Sequence, residues 1–239
     1  MTTQSPTQNP KKFYEEASVV KGEQGWLVEL DGRSVKTPAR QPLLLPTEQL
    51  ARAIAAEWNE QEDDIDIAAM NLTRLANVAL DRVDETRLEM ADEFAQYCET
   101  DLVCHLAEGP EELVEREEDA WRKVRDWAGE EMDIFLVPVT GVIASPQPDA
   151  SLNAARDHAY GLDGFRLTGL LYGAALFGSA LLALTVEQGV LSAEDAFEVS
   201  RIDEAFQADQ WGEDAEAKEI TAKRREDARS LGVWFRALG

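Results

Sequence analysis

Three sets of residues have types and spacings that bear on chemistry. Cys98-x5-Cys104-His105 places two thiols and an imidazole close together. Structural zinc takes four ligands, with paired cysteines usually two to four residues apart. Here a second pair is missing and His158 is the only other histidine. Cys98 also falls on an apolar helical stripe, where a free thiol behaves as a small hydrophobe, so no metal or other cofactor is expected. Nucleophilic catalysis needs a Ser or Cys with a neighbouring base. No G-x-S-x-G and no GxxxxGK occurs, which argues against a nucleotide cradle. The third set lies near the C-terminus. At about 100° per residue, Ser200, Glu204, Gln207 and Trp211 fall on one stripe, separate from Val199, Ile202 and Phe206. An acid and an amide beside a Trp suit a protein contact, because Trp is enriched at binding hot spots. The plain alternative is that Trp211 packs on the body while Gly212 ends the helix.

The elements that position these residues follow from periodicity. Ser192 caps a helix expected over Ala193 to Gln210, with Asp195 reciprocating at its third position. At the other end of the chain, Trp26, Val28 and Leu30 alternate as a strand, and Asp31-Gly32 supplies a two-residue turn. Arg33 to Thr37 returns as a second strand, stopped by Pro38, and Pro42 and Pro46 bracket a third, Leu43 to Leu45. Thr47 then caps a helix with Leu50, Ile54 and Trp58 on one face. Beyond it almost everything reads as helix. Leu72, Leu75, Ala76, Ala79, Leu80 and Val83 follow the i, i+3, i+4, i+7 rule. In a helix opened by Pro110, the acidic run Glu115 to Asp119 is expected to be mostly solvated.

Leu167 to Val186 runs twenty residues without a charge. That length could span a bilayer, and Gly169-x-x-x-Gly173 suits close helix contact. Gly, Ser and Thr dilute it and no Trp or Lys girdle flanks it, so a core helix is the preferred reading. The fold class expected is α+β. A disordered tail (1–10) precedes a small β-rich N-terminal domain with the first helix (11–60) and a larger all-helical C-terminal domain (61–239).

Against 23 Lys plus Arg stand 47 Asp plus Glu, a formal net charge of −24. Such a surface repels nucleic acid and acidic membranes and favours basic partners. Two cysteines suit a reducing compartment, and "MTTQSPTQNP" shows no apolar leader core.

Taken in order, several segments resemble one family, the F1-ATPase assembly chaperones that hold the free α-subunit before it meets the β-subunit. They are Leu30-Asp31-Gly32-Arg33, Val35-Lys36-Thr37-Pro38, Pro46-Thr47, Ala55-Ala56-Glu57-Trp58, Leu72 to Asn77, Asp81, Ser200 to Glu204, Phe206-Gln207 and Trp211-Gly212. The resemblance implies a non-enzymatic chaperone without cofactor, acting in the bacterial cytoplasm and monomeric when free, with the F1 α-subunit as client and no nucleic acid or membrane insertion. It places client contact at Asp203, Glu204, Gln207 and Trp211, with Trp58 structural. Two departures stand out: no His follows Trp211-Gly212 within Glu213 to Glu219, and the third acid of the family's acidic run is Ala205. The alternatives are a hydrolase-like enzyme using clustered carboxylates in an inter-domain cleft, and a single-span membrane protein.

Overall fold

A computed structural model describes residues 9–141, 143–212 and 214–239. The tail expected at 1–10 lies mostly outside them. The chain forms two compact units. The first takes the described residues up to Asp81 together with Ala237–Gly239, and the second runs Arg82–Arg236.

In the first unit, β1 (Ala17–Lys21), β3 (Arg33–Ser34) and β4 (Leu44–Leu45) all pair antiparallel with β2 (Trp26–Leu30). The β2–β3 turn has positive φ at both central residues, 48° at Asp31 and 77° at Gly32, as a turn matching strand twist requires. Helix α1 (Glu48–Asn59) starts where Thr47 Oγ1 accepts the Leu50 N–H at 3.1 Å. It buries Leu50, Ile54 and Trp58 and packs on β1 and β2. Helix α2 (Asn71–Asp81) is fastened at both ends. The Glu57 carboxylate accepts the N–H groups of Leu72 and Thr73 at 2.7 and 2.8 Å. Asp81 accepts the Thr37 hydroxyl at 2.5 Å and the Ala39 N–H at 2.9 Å. These contacts carry the compact unit to Asp81, beyond the strand-rich stretch read at 11–60.

The second unit is helical: α3 (Val83–Glu99), α4 (Glu111–Met132), α5 (Asp149–Gly161), α6 (Gly164–Phe177), α7 (Ala180–Glu187), α8 (Ala193–Val199), α9 (Ile202–Trp211) and most of α10 (Ala215–Leu238). A short parallel pair, β5 (His105–Leu106) with β6 (Val139–Thr140), accompanies them. The α+β class with a strand-rich N-terminal part therefore holds. The apolar run from Leu167 is not one helix. Gly178 takes the left-handed conformation, φ 66°, and the Ser179 hydroxyl caps a new helix through the Leu182 N–H at 3.0 Å. Every residue of α7 is buried. Among the described residues, no helix is long and apolar enough to cross a membrane. Small residues do bring neighbours close: a Cβ at Gly169 would stand 2.7 Å from the Trp234 indole.

Buried charges in this unit are matched. Asp101 is wholly buried and accepts the N–H groups of Val103 at 3.1 Å and Leu181 at 3.0 Å. Glu187 meets Arg166 at 2.7 Å and His158 at 3.3 Å. Burial pushes this carboxyl up, but the hydrogen bonds from His158, Gln188 and Arg166 outweigh it and hold Glu187 below the usual range.

Candidate functional site

The helix expected from Ala193 to Gln210 is two helices. Ser192 caps α8, accepting the Asp195 N–H at 3.0 Å and donating to its carboxylate at 2.7 Å. The chain then breaks at Ser200 and Arg201, where Arg201 leaves helical geometry at φ −122°, ψ 22°. Ser200 is buried and donates to the Phe197 carbonyl at 2.7 Å. It therefore leaves the polar stripe expected for it, because a break resets the helical phase. Within α9 the four residues expected at the site remain together. Counting about 100° per residue, Asp203, Gln207, Trp211 and Glu204 occupy one arc, and all four are exposed.

Helix α9 is anchored from its opposite side. Phe206 is buried, and the Arg116 guanidinium of α4 lies 5.2 Å from its ring centroid. Arg116 also approaches Asp209 at 3.5 Å. At the N-terminal end Arg201 reaches Glu204 at 3.4 Å and donates to the Thr221 hydroxyl at 3.2 Å. Gln207 donates to Asp203 at 2.9 Å. Trp211 is 79 % exposed at the last position before Gly212, whose φ of 80° turns the chain away. An indole this exposed, on the same arc as two carboxylates and an amide, gives an anionic surface with one aromatic. Glu213 lies outside the described residues.

Neighbouring acids reinforce the field. Glu117 of α4 is buried, an exception within the mostly solvated run expected there, because its carboxylate accepts the Ala107 N–H at 2.7 Å. Burial pushes the Glu117 carboxyl up, and the charge on Asp203 adds to that effect. Arg116 and Glu117 were not legible as parts of this site, although Arg116 is the one base in the run Glu111 to Asp119.

The thiols do not converge on a metal. Cys98 and Cys104 are both buried, and burial pushes Cys104 to about 12. Among the described residues no group of three His, Cys, Asp or Glu side chains is placed to hold an ion. A groove of about 680 Å³ along α4 is lined by Glu111, Val114, Glu115, Glu118 and Asp119, carboxylates and one valine. Trp58 is buried edge-on to Tyr14 at 5.8 Å, and its carbonyl accepts the Tyr14 hydroxyl at 2.6 Å.

A family model described as ATP12 chaperone protein matches residues 11–129. The crystal structure of Atp12 from Paracoccus denitrificans superposes with a TM-score of 0.87 at 39% identity, covering 96% of this chain and 99% of that one. A crystal structure of a protein from Agrobacterium tumefaciens gives a TM-score of 0.89 at 33% identity, covering 96% and 87%. Protein atp12, mitochondrial, of Schizosaccharomyces pombe is 22% identical over 210 residues, 81% of this chain and 71% of the relative. The fold is thus shared over nearly the whole chain, and the chain belongs to the ATP12 chaperone family.

Proposed function

We propose that this protein is a non-enzymatic chaperone for assembly of the F1 sector of ATP synthase, binding the free α-subunit and covering its β-facing surface until the β-subunit arrives. The observation that carries the reading is Trp211, 79 % exposed on the arc shared with Asp203, Glu204 and Gln207. Exposed aromatic area on a soluble chain marks a contact surface. The two acids suit client Arg or Lys. Charges at the rim of such a contact govern encounter rate and choice of partner more than raw affinity. A net charge of −24 adds long-range attraction for a basic patch and keeps the free chaperone dispersed. Covering a surface and yielding it to a tighter native partner requires no bond to be made or broken. The chain would do this as a free monomer in the bacterial cytoplasm.

The test is co-purification with separately expressed F1 α- and β-subunits, where retention of α alone is expected. Glu204→Lys should keep the wild-type melting curve and lose suppression of α-subunit aggregation. Undiminished suppression by that variant would remove α9 as the contact, and retention of neither subunit would remove the client.

A further inference from the structure

Residues 134–148 carry no charge, in a chain of which 29% is charged. Along the extended part of this segment Phe135, Val137 and Val139 alternate with buried Leu136. Phe135 is 59 % and Val137 45 % exposed, so apolar side chains face outward where a strand on a core usually presents polar ones. Its backbone is committed on one edge. The Ser151 hydroxyl takes the Phe135 N–H at 2.9 Å and donates to the Phe135 carbonyl at 3.0 Å. The Gln147 amide does the same for Val137, accepting its N–H at 2.7 Å and donating to its carbonyl at 3.1 Å. Val139 and Thr140 then pair with β5, and the Gly141 N–H donates to the Leu106 carbonyl at 2.8 Å. In an extended chain, alternate residues direct their backbone groups to opposite edges. The groups of Leu136 and Thr140 therefore point the other way, and those of Leu136 meet no partner among the described residues. A groove of about 360 Å³ runs beside Leu136 and Pro138, with Arg122, Asp126 and Glu130 of α4 among its walls.

We infer that the open edge from Leu136 to Thr140 receives an added strand, an extended segment of the F1 α-subunit, with apolar side chains over Phe135, Val137 and Val139. This rests on the client named above. Only another extended backbone presents N–H and C=O groups at the repeat that this edge requires. Its side chains toward α4 are polar or cationic, since Glu118, Asp126 and Glu130 outnumber Arg122 and Arg125 on that wall. Pro138 has no N–H to offer, which keeps the added strand short and works against edge-to-edge stacking of chaperone copies.

Amide hydrogen exchange of the full chain, alone and with purified α-subunit, tests this. Leu136 and Thr140 should exchange fast in the free protein and about tenfold or more slower in the complex, whereas Phe135 and Val137 are protected in both. Val137→Glu, at an exposed position, should raise Kd about tenfold with an unchanged melting temperature. Thr140→Pro, which deletes one edge donor, should also weaken binding. A complex that forms with unchanged exchange at Leu136 and Thr140 overturns the strand-addition site and leaves the chaperone reading standing. Absence of any complex with the α-subunit overturns both.

Discussion

The guanidinium of Arg116 stands 5.2 Å from the ring centroid of Phe206, so one cation on α4 fixes the buried side of α9. The same side chain approaches Asp209 at 3.5 Å. Helix α9 is ten residues long and buries only Phe206, too little for independent stability. Its orientation therefore depends on this contact. Arg116→Gln should lower stability by about 0.5–1 kcal/mol, the usual worth of an exposed cation–π pair, and should weaken client binding as well. Urea titration with an unchanged m-value would report the first effect.

Trp211 offers the opposite case, a large side chain whose removal costs the fold little. Trp211→Ala should change stability by no more than about 0.5 kcal/mol. Its affinity for the α-subunit should fall by about 2 kcal/mol, roughly thirtyfold, if the indole is a hot spot. Calorimetric titration beside a melting curve separates the two. A substantial loss of stability would instead show that the indole packs on the body.

Gly169→Ala should be far worse than an ordinary glycine replacement in a helix. The new methyl would come within 2.7 Å of the Trp234 indole and 2.9 Å of the Phe235 ring. Overpacking of this kind costs about 1–3 kcal/mol, read as a lower denaturation midpoint.

Asp101 makes stability depend on pH in a direction opposite to most acids. Burial raises its carboxyl from 3.8 to about 6. Between those values the folded state keeps a proton that the unfolded state has released, so this group's stabilisation is full below 3.8 and is lost as pH rises to about 6. A shift of this size corresponds to about 3 kcal/mol. Glu187, held below its ordinary range, acts in reverse, and its contribution fades as pH falls below 4.5. Asp101→Asn should lower stability, because its amide nitrogen would face a backbone donor. It should also flatten the decline between pH 4 and 6, measured as urea midpoints against pH.

The N-terminal sheet was legible because its turns are encoded locally. Asp31-Gly32 and the Thr47 cap each depend on a few adjacent residues. The breaks at Gly178-Ser179 and Ser200-Arg201 were harder to see. Both lie inside stretches whose apolar periodicity continues across them, so hydrophobic pattern alone joins what the backbone divides. Gly followed by Ser is itself a stop and a cap, and it was there to be read. Which acid of the mostly solvated run is buried is not encoded locally: the burial of Glu117 depends on the amide of Ala107, brought near only by tertiary folding. Asp203, Glu204, Gln207 and Trp211 stay on one face because they all fall within α9, downstream of the break.

The Glu57 carboxylate links the fates of two helices. It belongs to α1, yet it holds the first amides of α2, which have no partner within their own helix. Melting α1 would strip those donors of their acceptor, so α1 and α2 should form and dissolve as one cooperative step. In a chain emerging from synthesis α1 can already settle on β1 and β2, and α2 would gain its N-terminal acceptor only once α1 is in place.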